Sequence, residues 1–133
     1  MRRSLLREHI FILVFMTEFN SVEEMPETMR LYFESLEEPA DDASEEYIET
    51  KFKNILGKLT ELDEKINEKA EGWTTSRMGK VELALIRLAA YEILHDEDVP
   101  TGVAIDEAVE LAKKYGQDGS PAFVNGVLAK LVG

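Results

Sequence analysis

The chain of 133 residues contains no cysteine, so it can hold neither a disulfide framework nor a thiolate metal site. Histidine is nearly absent too. A serine–histidine arrangement would have to use His9 or His95, one set in an apolar helical pattern and the other in a charged loop. The longest unbroken apolar run, residues 10–16, is far short of the roughly twenty residues a spanning helix needs. Glycine-rich phosphate loops are missing: neither GxxxxGK[ST] nor GxGxxG occurs. Bases are few, 15 against 27 acids for a net charge of −12, which argues against a general nucleic-acid binder. Met1-Arg2-Arg3 ahead of a short apolar run has a faint signal-peptide look. Glu8 and His9 precede the run, however, and no small-residue cleavage site follows it before Thr17-Glu18-Phe19. These absences imply a soluble cytoplasmic protein with a retained N-terminus and no membrane attachment.

What is present is helical. At 44% apolar and 32% charged residues, the composition is that of one ordinary globular domain. Residues 80–94, KVELALIRLAAYEIL, are apolar around almost the whole helical circumference, so this helix must be wrapped by others. Only Glu82, Arg87 and Glu92 interrupt it. Arg87 and Glu92 are spaced i, i+5 and too far round the helix to pair, so each needs a separate partner, such as Glu107 or an orphan backbone group. Glu82 sits in the first turn, where the dipole favours a carboxylate.

Around that helix the spacing predicts a first helix over residues 3–19 and a second from Pro26 to before Pro39. A long amphipathic pattern capped by Ser44 should break between residues 57 and 60. Further helices are expected over residues 104–115, closed by Gly116, and from an N-capping Ser120 to the end. Six or seven helices result, with no strand pattern. The last two could pass for a DNA-reading helix-turn-helix, but the second carries one base, Lys130, and an apolar face suited to a core.

Charge distribution matters more than its sum. Residues 23–49 hold eleven acids and one base, Arg30, and the remainder is close to balanced. Arg2, Arg3 and Arg7 cluster at the N-terminus with Arg3 and Arg7 on one helix face, an arrangement suited to phosphates or simply to solubility. Asn125-Gly126 in the last helix reads either as a close backbone approach or as a tolerated glycine. The lone Glu92-x-x-His95 pair is half of a bundle metal site.

The motifs Trp73 with Arg77, Ile86-Arg87-Leu88-Ala89-Ala90-Tyr91-Glu92, Val99-Pro100, residues 104–116 and Phe123-Val124-Asn125-Gly126-Val127-Leu128 together resemble the NusB family. The resemblance covers the C-terminal half in order, and the arginine-containing first helix is also similar. It implies an all-α fold of about seven helices in two roughly perpendicular three-helix subdomains, divided near residue 71. It further implies a role without catalysis or cofactor. The protein would bind boxA-type single-stranded RNA with the ribosomal protein NusE, within the transcription elongation complex, in antitermination on ribosomal RNA operons. Position by position, the RNA surface would comprise Arg2, Arg3, Arg7, Tyr115, Gln117, Gly119, Ser120 and Phe123, while Phe15 and Glu82 would meet NusE. An adaptor for NusE with little RNA affinity of its own is the alternative, and monomer and homodimer both stay open. NusB-like domains also occur fused to RNA methyltransferases, but no Gly-rich cofactor loop is present here.

Overall fold

The computed structural model describes residues 1–133 and is all-α: seven α-helices, one 3₁₀ turn and no strand. Two contiguous compact units make it up, residues 1–56 and residues 57–133. The division therefore falls well before residue 71. The helix after Gly57 goes with the C-terminal helices because it packs on two of them.

The first unit holds α1 (Arg3–Met16), α2 (Met25–Glu34) and α3 (Asp42–Leu56). Ile10, Leu13 and Val14 of α1 and Ile48, Phe52 and Ile55 of α3 are buried, and these two helices pack together. α1 stops three residues before Phe19 because side chains close its last turn. The Thr17 hydroxyl donates to the Val14 carbonyl (2.6 Å) and the Asn20 amide to that of Met16 (2.9 Å). A reciprocal capping box precedes α2, with the Ser21 N–H donating to Glu24 (2.7 Å) and the Glu24 N–H to the Ser21 hydroxyl (3.3 Å). α3 corrects the expected cap. Asp41, not Ser44, caps it by accepting the Ser44 N–H at 2.7 Å, which leaves Ser44 buried in the first turn.

Between α1 and α2, His9 Nδ1 lies 2.5 Å from the Tyr32 hydroxyl with the rings edge to face. Burial holds the His9 ring below its usual pKa, and burial also pushes Tyr32 up to about 12, so both are neutral near pH 7. On the outer face of α2, Arg30 is gripped by Glu27 through Nε (2.9 Å) and a second short contact, and by Glu34 through Nη1 (2.7 Å).

The second unit holds α4 (Leu59–Lys69), the 3₁₀ turn Thr75–Arg77, α5 (Lys80–His95), α6 (Thr101–Tyr115) and α7 (Ser120–Val132). α5 packs against α4, α6 and α7, as its all-round apolarity requires, and Leu83 to Ile86 and Leu88 to Tyr91 are buried. Both of its interior charges are partnered. Arg87 forks onto Asp63 of α4, Nε to Oδ1 at 2.9 Å and Nη2 to Oδ2 at 2.7 Å, so an acid four residues into α4 supplies a partner that the local pattern did not point to. Glu92 is 1% exposed and partnered. His95 is the last residue of α5, not part of a loop, and its Nε2 lies 3.1 Å from Glu61, near enough to pair when protonated but not aligned as a hydrogen bond.

Gly126 does not mark a close approach. It is exposed, and a Cβ there would meet nothing within 4 Å. Gly126→Ala is therefore expected to stabilise the protein by about 0.5–1 kcal/mol, the helix-propensity difference. Urea denaturation checks this, and a loss of stability would show that the position is needed empty.

Candidate nucleic-acid interface

Gly72, at φ +79° in the left-handed region, turns the chain after α4. Asn67 of α4 then accepts the Thr75 N–H at 2.7 Å, which fixes the start of the 3₁₀ turn. This places Trp73 at the surface, 43% exposed, with its ring 5.1 Å from that of Phe123 on α7 in an edge-to-face contact. The Arg77 guanidinium lies 5.4 Å from the Trp73 ring centre, within cation–π range. One cleft of about 260 Å³ opens beside this group, lined by Trp73, Arg77, Met78, Gly79, Glu82, Gln117, Gly119, Ser120 and Phe123. A second groove of about 190 Å³ shares Trp73 and Phe123 and adds Ala70, Glu71, Ala122, Gly126, Val127 and Lys130.

The floor of the first cleft is a short relay. Ser120 does not cap α7; Gly119 takes that position. The Ser120 hydroxyl instead donates to Glu82 Oε2 at 2.6 Å and accepts the Gln117 N–H at 3.0 Å, which joins the α6–α7 turn to the first turn of α5. Two glycines leave room for it. A Cβ at Gly116 would fall 2.5 Å from that of Ser120, and one at Gly79 would fall 2.1 Å from Glu82 Oε1. Gly116 is extended (φ −94°), so space and not dihedral angle demands glycine there.

The structure thus brings together Gln117, Gly119, Ser120, Phe123 and Glu82, and adds Trp73 and Arg77, which sequence reasoning left out of the site. The available signal was an aromatic after a glycine turn with an arginine four residues on. Tyr115 lies at the end of α6, outside the cleft lining, with the Lys114 ammonium 5.4 Å from its ring. In the first unit, Arg2 and Arg3 are exposed but Arg7 is 5% exposed and partnered, so the arginines expected on one face differ in access. Phe15 is half-buried in a row with Phe11 (6.4 Å) and Phe19 (5.2 Å), and Phe19 is exposed. No three acids or histidines converge as a metal cage would need, and no helix is long and apolar enough to cross a membrane. Aromatic surface, a guanidinium and a polar floor together suit unstacked bases and phosphate better than any bond-making chemistry.

Comparison with known proteins decides the family: the model of the NusB family matches residues 4–132. The chain belongs to the NusB family. Its relatives include transcription antitermination proteins NusB from Agathobacter rectalis, 52% identical over 98% of each chain, and from Lachnoclostridium phytofermentans, 46% identical over 99% of each. Among solved structures it is similar to T. maritima NusB (TM-score 0.86, 34% identity, 98% of this chain and 90% of that one). It is also similar to NusB from Aquifex aeolicus (TM-score 0.85, 26% identity, 99% and 88%). A further neighbour comes from a crystal structure of a plectonemic RNA supercoil (TM-score 0.82, 25% identity, 99% and 95%). NusB proteins serve transcription antitermination and are not enzymes, and this chain shares both the fold and that role.

Proposed function

We propose that this NusB protein acts in antitermination by binding boxA-type single-stranded RNA jointly with the ribosomal protein NusE, in the cytoplasmic elongation complex. The observation that carries the reading is the contact of exposed Trp73 with half-buried Phe123 beside Arg77, in a cleft also lined by Glu82, Gln117 and Ser120. Aromatic faces hold bases and guanidinium groups hold phosphates in sequence-tolerant single-strand binding. Arg2 and Arg3 add phosphate contacts from the first unit, and the half-buried Phe15 offers apolar surface to the protein partner.

Titration of a boxA oligonucleotide in the presence of NusE tests this. Phe123→Ala should weaken binding about tenfold or more, the usual loss for a stacked base. Arg2→Ala with Arg3→Ala should reduce the slope of affinity against salt by about 0.7 per lost phosphate contact. Unchanged affinity at low salt in both variants would remove the proposed surface.

The net charge of −12 and the burial of Arg7 favour a second reading, an adaptor for NusE with little RNA affinity alone. RNA binding seen only in the ternary mixture would select it.

A further inference from the structure

Gly126 has no explanation in the packing of α7. It lies exposed in the middle of the helix, and a Cβ there would meet nothing within 4 Å. Its φ is not positive, so backbone freedom does not require glycine either. The residue therefore costs helix stability and returns none of it within the fold. What it does is keep open the groove of about 190 Å³ that Trp73 and Phe123 also line. Pockets for drug-sized ligands begin at roughly 300 Å³, so this one suits a single base rather than a free cofactor.

The aromatic pair lines both the groove and the first cleft, whereas Arg77 and Glu82 line the first alone. Trp73 is 43% exposed, and the indole surface bordering the groove is not the one that Arg77 covers. Lys130 is the one base of the groove lining. Glu71 holds its ammonium at 3.7 Å, and the two side chains are 48% and 85% exposed. An ion pair so open to water contributes little, so another anion displaces the carboxylate at small cost. A nucleotide brings a base for the indole and a phosphate for the lysine. An apolar side chain of a protein would use the first and leave the second idle. We propose that the groove between the end of α4 and α7 is a second nucleotide subsite, where a base lies on Trp73 over Gly126 and its phosphate replaces Glu71 on Lys130. This rests on the RNA-binding reading above and extends the strand past the Trp73–Phe123 contact. Glu82, which the family resemblance assigns to NusE, takes no part in it.

The test uses fluorescence anisotropy of the full chain with NusE and a labelled boxA oligonucleotide. Gly126→Leu fills the groove with a strong helix former, so the variant keeps its fold. Its RNA affinity should fall about tenfold or more, the usual loss for a stacked base. Lys130→Gln should lower the slope of affinity against salt by about 0.7, one phosphate contact. Glu71→Gln should tighten binding about two- to fivefold, the scale of an exposed ion pair, and the gain should vanish when Lys130→Gln is also present. Unchanged affinity in Gly126→Leu, with Phe123→Ala still weakening binding, would overturn the subsite and leave the RNA reading intact. A gain from Glu71→Gln that survives the loss of Lys130 would overturn the exchange of anions. Weaker binding of Gly126→Leu to NusE alone, measured without RNA, would overturn the proposal by giving the groove to the protein partner. No RNA binding by wild type would overturn the RNA reading and the subsite with it.

Discussion

Leu85→Ala is expected to cost about 2–5 kcal/mol of stability and to lower the melting temperature by roughly 10 °C or more. Leu85 is completely buried, and its helix is enclosed by α4, α6 and α7, so the surroundings cannot collapse into the gap from an open side. The loss combines the transfer energy of the deleted methyl groups with the cavity they leave. Circular dichroism during heating or in urea measures it. A loss below about 1 kcal/mol would mean that α5 is less tightly enclosed than the structure has it.

Arg87→Ala is expected to cost about 1–3 kcal/mol. The side chains of Arg87 and Asp63 are 12% and 25% exposed, so the pair is largely but not wholly removed from water, and the figure lies below that for a fully buried bridge. Truncating Arg87 strands the Asp63 carboxylate that its fork satisfied through both oxygens. Asp63→Ala in the same background should therefore recover part of the loss. A double-mutant cycle isolates the pair, and purely additive effects of the two changes would show that they do not couple.

This ion pair marks where the sequence was legible and where it was not. The period of α5 showed that it is central, and its i, i+5 charges showed that Arg87 and Glu92 need separate partners. The identity of one partner, Asp63, depended on how α4 docks, which no local pattern encodes. Caps failed for a related reason. Asp41 and Ser44 both suit a helix start, and so do Gly119 and Ser120. In the second case the hydroxyl went to Glu82, 38 residues away. The interface divided the same way. Gln117, Ser120 and Phe123 were placed by family resemblance, whereas Trp73 joins them only because the turn after α4 carries it to α7, fifty residues on. The accessible Arg3 and the buried Arg7 share one helical spacing, and spacing does not report burial.

The grip of Glu27 and Glu34 on Arg30 has a consequence for the timing of encounters. Arg30 offsets one charge of the acidic run of residues 23–49 and does so locally, between Glu27 and Glu34, so the field of the remaining acids is softened chiefly by dissolved salt. At physiological ionic strength that field decays over about 8 Å, less than the width of a helix, whereas in dilute buffer it reaches about 30 Å. A basic protein is thus drawn in from a distance only when salt is low. For any basic protein that approached this face, the frequency of encounter would be set by the medium and the residence time by the contacts made after arrival.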